Sequence, residues 1–106
     1  MPLTRIDAEA VDEVINNKNE PCLIVFSREN CHVCQEVVPR VEELAEKFVG
    51  KLLFYYIDVE DNKDILKKYA LKGVPQILFF KGEEFCGRIA GNVEEEDIEE
   101  KITELL

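Results

Sequence analysis

Two cysteines separated by two residues, in Cys31-His32-Val33-Cys34, are the side chains of this sequence best suited to chemistry. A dithiol at this spacing exchanges with disulfides. One thiolate attacks a substrate sulfur, a mixed disulfide forms, and the second thiol resolves it. The two sulfurs are not equivalent. Cys34 opens an apolar stripe with Val37 and Val41 and is expected to be shielded. Cys31 stands where that helix begins, within reach of solvent. The unpaired N–H groups and the dipole of a helix start favour a thiolate there, and the thiolate is the nucleophile. Cys31 is therefore the expected nucleophile and Cys34 the resolving thiol. An imidazolium on His32 would stabilise the thiolate and make the disulfide more oxidising; the plainer alternative is a solvent-facing His of modest effect. Cys22 opens an apolar run and reads as a core residue, whereas Cys86 alternates away from Phe85 and Ile89 and is expected to be partly exposed.

The elements that must hold this pair can be read from periodicity. Asp7 to Asn16 is a helix with Asp7 as N-cap and Ala10, Val11, Val14 and Ile15 on one side. Cys22 to Ser27 is a buried strand. Cys34, Val37, Val38, Val41, Leu44, Ala45 and Phe48 define the clearest helix, stopped by Gly50 and expected to kink at Pro39. Leu52 to Asp58 is apolar enough for a central strand. Asp61 is placed to cap a third helix reaching about Leu71, with Ile65, Leu66, Tyr69 and Ala70 inward. Gln76 to Lys81 and Glu84 to Ala90 form a hairpin about Gly82, with Phe85, Gly87 and Ile89 on one face. Asn92 and Glu95 have capping-box spacing before a last helix striped by Ile98, Ile102 and Leu105. The predicted order is α-β-α-β-α-β-β-α, an α/β fold with a four-stranded mixed sheet flanked by helices on both faces.

Composition narrows the partners. A chain of 106 residues without linker or repeat is expected to be one domain, residues 1–106. Its net charge of −10 disfavours nucleic acid and anionic membranes. Glu94, Glu95, Glu96, Asp97, Glu99 and Glu100 concentrate much of this charge on the last helix. The acidic first twenty residues do not read as a secretory signal, and Leu52 to Ile57 is too short to span a bilayer. A soluble, cytoplasmic monomer is the expectation. Four cysteines are too few for a disulfide scaffold at this length.

These features resemble the thioredoxin family over nearly the whole chain. The resemblance rests on Cys31-His32-Val33-Cys34 after Leu23-Ile24-Val25-Phe26, Pro39 five residues past Cys34, Asp58 ending the central strand, Gly73-Val74-Pro75, and Gly91. It implies the thioredoxin fold and a cis-proline at Pro75 beside the cysteines. It also implies that the Val74 backbone pairs with an extended substrate segment, that Val33, Val74 and Pro75 form the substrate surface, and that Pro75 keeps metal away. The implied cofactor is none beyond the Cys31–Cys34 disulfide. The implied partners are disulfide-containing client proteins and a thioredoxin-reductase-type electron donor, flavoprotein or ferredoxin-linked. The sequence departs from the family where Trp-Cys-Gly-Pro-Cys is usual. Asn30 replaces the Trp and is itself a good N-cap. Val25 stands where a buried acid is usual, and Phe54 where its lysine partner is usual. Glu29 or Glu36 acting through water are the available substitutes for that acid.

Four functions compete. The first is reduction of protein disulfides. The second is oxidation or isomerisation, motivated by His32, since isomerases and some oxidases also carry a His between their cysteines. A potential of about −270 mV against about −120 mV separates the two. The third is a metal site of Cys31, Cys34 and His32, which lacks the fourth ligand of structural zinc. The fourth is a non-catalytic interaction module, motivated by Val25, Phe54 and Asn30.

Overall fold

The computed structural model describes residues 3–18 and 20–106. The elements are β1 (Thr4–Arg5), α1 (Ala8–Lys18), β2 (Pro21–Ser27), α2 (His32–Lys47), β3 (Leu53–Asp58), α3 (Asp64–Lys68), β4 (Gln76–Lys81), β5 (Glu84–Ala90) and α4 (Glu95–Leu105). The sheet runs β1-β3-β2-β4-β5. β1 and β2 lie parallel to β3, while β4 pairs antiparallel with both β2 and β5. The mixed sheet thus has five strands rather than four. The extra strand, β1, is a two-residue edge piece whose ladder ends with the Ile6 N–H donating to the Tyr56 carbonyl at 2.8 Å.

Alternation along the central strands sorts the core into two layers. Leu23, Val25, Phe54, Ile77 and Phe79 face Val37, Val41 and Leu44 of α2 and Ile98 and Ile102 of α4. Ile24, Phe26, Tyr55, Ile57 and Leu78 face Val11 and Ile15 of α1 and Ile65 of α3. Two helices therefore cover each face, and β2, with strands on both sides, is buried from Cys22 to Ser27.

Local chemistry explains several boundaries. The Asp7 carboxylate accepts the Ala10 N–H at 2.9 Å, the expected N-cap. Gly50, at φ +82°, lies just past α2, where a left-handed residue releases the chain. Pro39 sits inside α2 without ending it.

Other expectations are corrected. Asp61 does not cap α3, which starts after Lys63 and ends at Lys68. Ala70 is exposed, not inward, and takes φ +54°. The Leu71 N–H donates back to the Leu66 carbonyl at 2.8 Å, so the chain leaves α3 through a left-handed turn. Asn92 is not the cap of α4. Glu94 precedes that helix and makes no side-chain cap bond, while the Asn92 side chain bonds Arg40 and Glu36 of α2. Phe85 and Ile89 do not share a face, because the β4–β5 register shifts between Phe79 and Phe80. The extra residue, Cys86, reverses the parity of the strand. Phe85 is 49% exposed and rests on Phe80, while Ile89 and Cys86 pack towards α2 and α4.

Candidate active site

The dithiol sits where β2 hands the chain to α2. Cys31 itself, rather than Asn30, is the N-cap of that helix: extended at φ −130°, ψ 115°, it accepts the Cys34 N–H on its Sγ at 3.2 Å. A sulfur so placed receives a backbone donor that strengthens as negative charge develops on it. The Gln35 side chain donates to the Glu29 carbonyl at 3.1 Å and ties the first turn of α2 to the preceding loop.

Burial keeps the expected order of the two thiols but narrows the gap. Cys31 is 8% exposed and Cys34 2%. Cys31 is the more accessible, though only an edge of its sulfur-bearing side chain meets solvent. The Cys34 thiol is pushed above the usual range by burial first and by its contact with Cys31 second. The Ser27 hydroxyl and the Arg28 backbone N–H oppose that rise.

The second wall comes from the segment before β4. The Cys31 Sγ points at the Val74 carbonyl, 3.9 Å away, and the Val74–Pro75 peptide is cis. Gly91, at φ +82°, donates its N–H to the Pro75 carbonyl at 3.1 Å, so the end of β5 holds this segment in place. The Gln76 side chain closes the turn onto the Gly73 carbonyl at 2.9 Å. Val33 and Val74 are half-buried beside these groups. Cys31, Val74 and Pro75, distant in the chain, are thereby brought together.

His32 points elsewhere. Its side chain is 88% exposed, with Nε2 3.6 Å from the Glu36 carboxylate one turn on. The other Glu36 oxygen accepts from Asn92 at 3.0 Å, so Glu36 is engaged on the outer face of α2. Val25 and Phe54 are buried in the α2-side core, and hydrocarbon fills the place of the usual acid and lysine.

A group missing from the sequence reading lies on the inner side of the pair. An open cleft of about 320 Å³ is lined by Ser27, Glu29, Cys34, Gln35 and Tyr56 among others. Ser27, two residues beyond Val25, shares its strand face and points towards α2. The signal was present as strand parity, but Tyr56 joins Ser27 only through the β2–β3 register. Cys22 is buried and its thiol is pushed up to about 12, chiefly by burial. Cys86 is partly buried and its thiol faces the Glu84 carbonyl at 3.5 Å. Among the described residues, no three His, Cys, Asp or Glu side chains converge as a metal site, and no helix is long and apolar enough to cross a membrane.

Comparison with known proteins agrees with this geometry. The thioredoxin family model matches residues 3–104. Thioredoxin M4, chloroplastic, of Arabidopsis thaliana is 32% identical over 100 residues, covering 94% of this chain and 51% of that protein. Thioredoxin 1 of Chlorobaculum tepidum is 26% identical over 95 residues, covering 90% of this chain and 94% of that one. A thioredoxin of Pyropia yezoensis is 34% identical over 87 residues, 82% of this chain and 80% of its own. The chain thus spans about half the length of the chloroplastic relative and nearly all of the Chlorobaculum one.

Proposed function

Because the chain belongs to the thioredoxin family, we propose that it is a thiol–disulfide oxidoreductase that reduces protein disulfides through Cys31 and Cys34. The observation that carries this reading is the Cys31 Sγ at the head of α2, receiving the Cys34 N–H and facing the Val74 carbonyl beside Pro75. Cys31 attacks one sulfur of a client disulfide. The other client sulfur leaves as a thiolate and takes up a proton. Cys34 then attacks the Cys31 sulfur, the Cys31–Cys34 bond forms, and the second client sulfur departs. The client gains two electrons and two protons, and the enzyme is left oxidised. A thioredoxin-reductase-type donor returns the dithiol. Val33, Val74 and Pro75 form the surface along which an extended client segment lies. No metal and no bound cofactor enter the reaction.

A reductase is favoured over an oxidase by the surroundings of His32. Any charge it takes on protonation is offset by Glu36 and spread into solvent, which weakens its hold on a Cys31 thiolate. The working compartment belongs to the same proposal: a reducing one, the cytoplasm, where the dithiol is kept reduced.

The deciding experiment is dithiothreitol-driven insulin reduction by the wild type and by Cys31→Ser. Activity in the wild type and its loss in the variant are expected; equal rates in the two sink the proposal. The reading as a pure interaction module is tested by Cys34→Ser, which should retain clients as mixed disulfides in a cell extract. If it traps none, the interaction module is the better description.

A further inference from the structure

We propose that Ser27, at the end of β2, positions and stabilises the Cys34 thiolate for the resolving step, with the Tyr56 phenol as a second hydroxyl behind it. The inference deepens the dithiol–disulfide reading and rests on it.

A buried thiol must lose its proton before it can attack, and apolar surroundings oppose that loss. The carboxylates near the dithiol are spoken for. Asp58 is the only buried acid among the described residues. One of its oxygens accepts the Glu60 N–H at 2.8 Å and the other faces Arg5 at 3.6 Å. Glu36 is held by His32 and Asn92. Glu29 is exposed at the rim of the cleft. The buried polar side chain that shares the cleft with Cys34 is Ser27, 1% exposed.

Ser27 follows the Val25 face of β2, so its hydroxyl lies on the α2 side of the sheet. It lines one cleft with the Cys34 thiol and the Tyr56 phenol, where a hydroxyl favours the anion of each. Tyr56 itself is held protonated, pushed up by burial first and then by the Asp58 charge. The phenol therefore remains a donor and can give its hydrogen to the Ser27 oxygen. Ser27 is then free to give its own to the Cys34 sulfur. The charged and titratable groups around Cys34 are Arg28 and Glu29 from the loop, Cys31 at the head of α2, and Tyr56 from β3.

Neither hydroxyl is a base. In the resolving step the Cys34 proton passes to solvent through the open cleft. The thiolate electron pair then forms the Cys31–Cys34 bond as the bond between Cys31 and the client sulfur breaks, and the departing client thiolate takes up a proton. The hydroxyl pair stabilises the anion between those events. It does so without placing a second negative charge beside it.

The test uses full-length Cys31→Ser protein, in which iodoacetamide labelling of Cys34 is followed by peptide mass across pH. Adding Ser27→Ala should raise the midpoint by about one pH unit, the loss of one hydrogen bond to a charged group, and so slow labelling at neutral pH about tenfold. Ser27→Thr should restore the midpoint, because it returns the hydroxyl. Tyr56→Phe should move it upward by less, and it carries the same test without altering β2. An unchanged midpoint in Ser27→Ala, or no restoration by Ser27→Thr, overturns the proposal. The readout is independent of turnover. Equal insulin reduction by wild type and Cys31→Ser would sink the reductase reading while leaving this result legible.

Discussion

His32 and Glu36 meet across one turn of α2 at 3.6 Å. Glu36 is in turn bonded by Asn92, and Asn92 by Arg40 at 2.6 Å, whose guanidinium also reaches the Val93 carbonyl at 2.7 Å. Exposed pairs of this kind contribute only about 0–1 kcal/mol to stability. Their importance is the charge they leave beside Cys31. His32→Ala should make the dithiol more reducing. Glu36→Gln should make it more oxidising, since His32, whenever it is protonated, then lacks its counter-charge. Equilibration of each variant with glutathione reads both directions, and potentials equal to the wild type would remove His32 from the chemistry. The sequence shows His32 next to the nucleophile, but adjacency does not say where a side chain points. That direction depends on Glu36 one turn away and on Asn92, which arrives from the end of β5.

The C-terminus of α3 is the element under most visible strain. Ala70 takes φ +54°, a conformation that glycine adopts freely and a Cβ opposes. The left-handed conformation costs a non-glycine residue about 1–2 kcal/mol, and glycine returns part of that in unfolded-state entropy. Ala70→Gly should therefore stabilise the protein by up to about 1 kcal/mol, measured as a higher urea midpoint. No gain would mean that the Arg88 contact with the Ala70 carbonyl, 3.3 Å, already holds the turn. Gly87 behaves oppositely. It takes φ +143°, and a Cβ there would lie 2.9 Å from the Lys101 side chain. The bulge at Cys86 thus uses a residue without a side chain beneath α4. Helices α1, α2 and α4 were legible because apolar residues recur at their period. β1 was not, since two residues carry no period, and the β5 bulge was not, since its parity is decided by the partner strand.

At the scale of the whole molecule, burial in the core layer beneath α1 and α3 shapes the response to alkali. The Cys22 thiol is pushed from 9.0 up to about 12, mainly by burial. The Tyr69 phenol is pushed from 10.0 up to about 12, by burial first and by Asp12 second. Both groups bind their proton more tightly folded than unfolded. Their contribution is complete below the unfolded values and is lost as pH climbs towards the folded ones. Unfolding free energy should therefore fall as pH rises from about 9 towards about 12. Cys22→Ala and Tyr69→Phe should each flatten that fall, whatever their stability at pH 7. An unaltered slope in urea titrations of both variants would count against it. The net charge of −10 grows more negative over the same range and steepens the decline.

Resemblance to the thioredoxin family made Val74 and Pro75 candidates; the sequence by itself determined the order of the long elements, the pairing of Cys31 with Cys34 and the deeper burial of Cys34. Each rests on short-range rules: helical period, strand alternation, and chain-breaking residues at element ends. Tertiary structure alone decided that Val74, 43 residues away from Cys31, offers its sulfur a carbonyl, and that Asn92 binds α2 rather than capping α4. It also placed Ser27 and Tyr56 in one cleft with Cys34. Those contacts join segments that only strand register brings together, and register is a property of the closed sheet, because each strand takes its alignment from its neighbours.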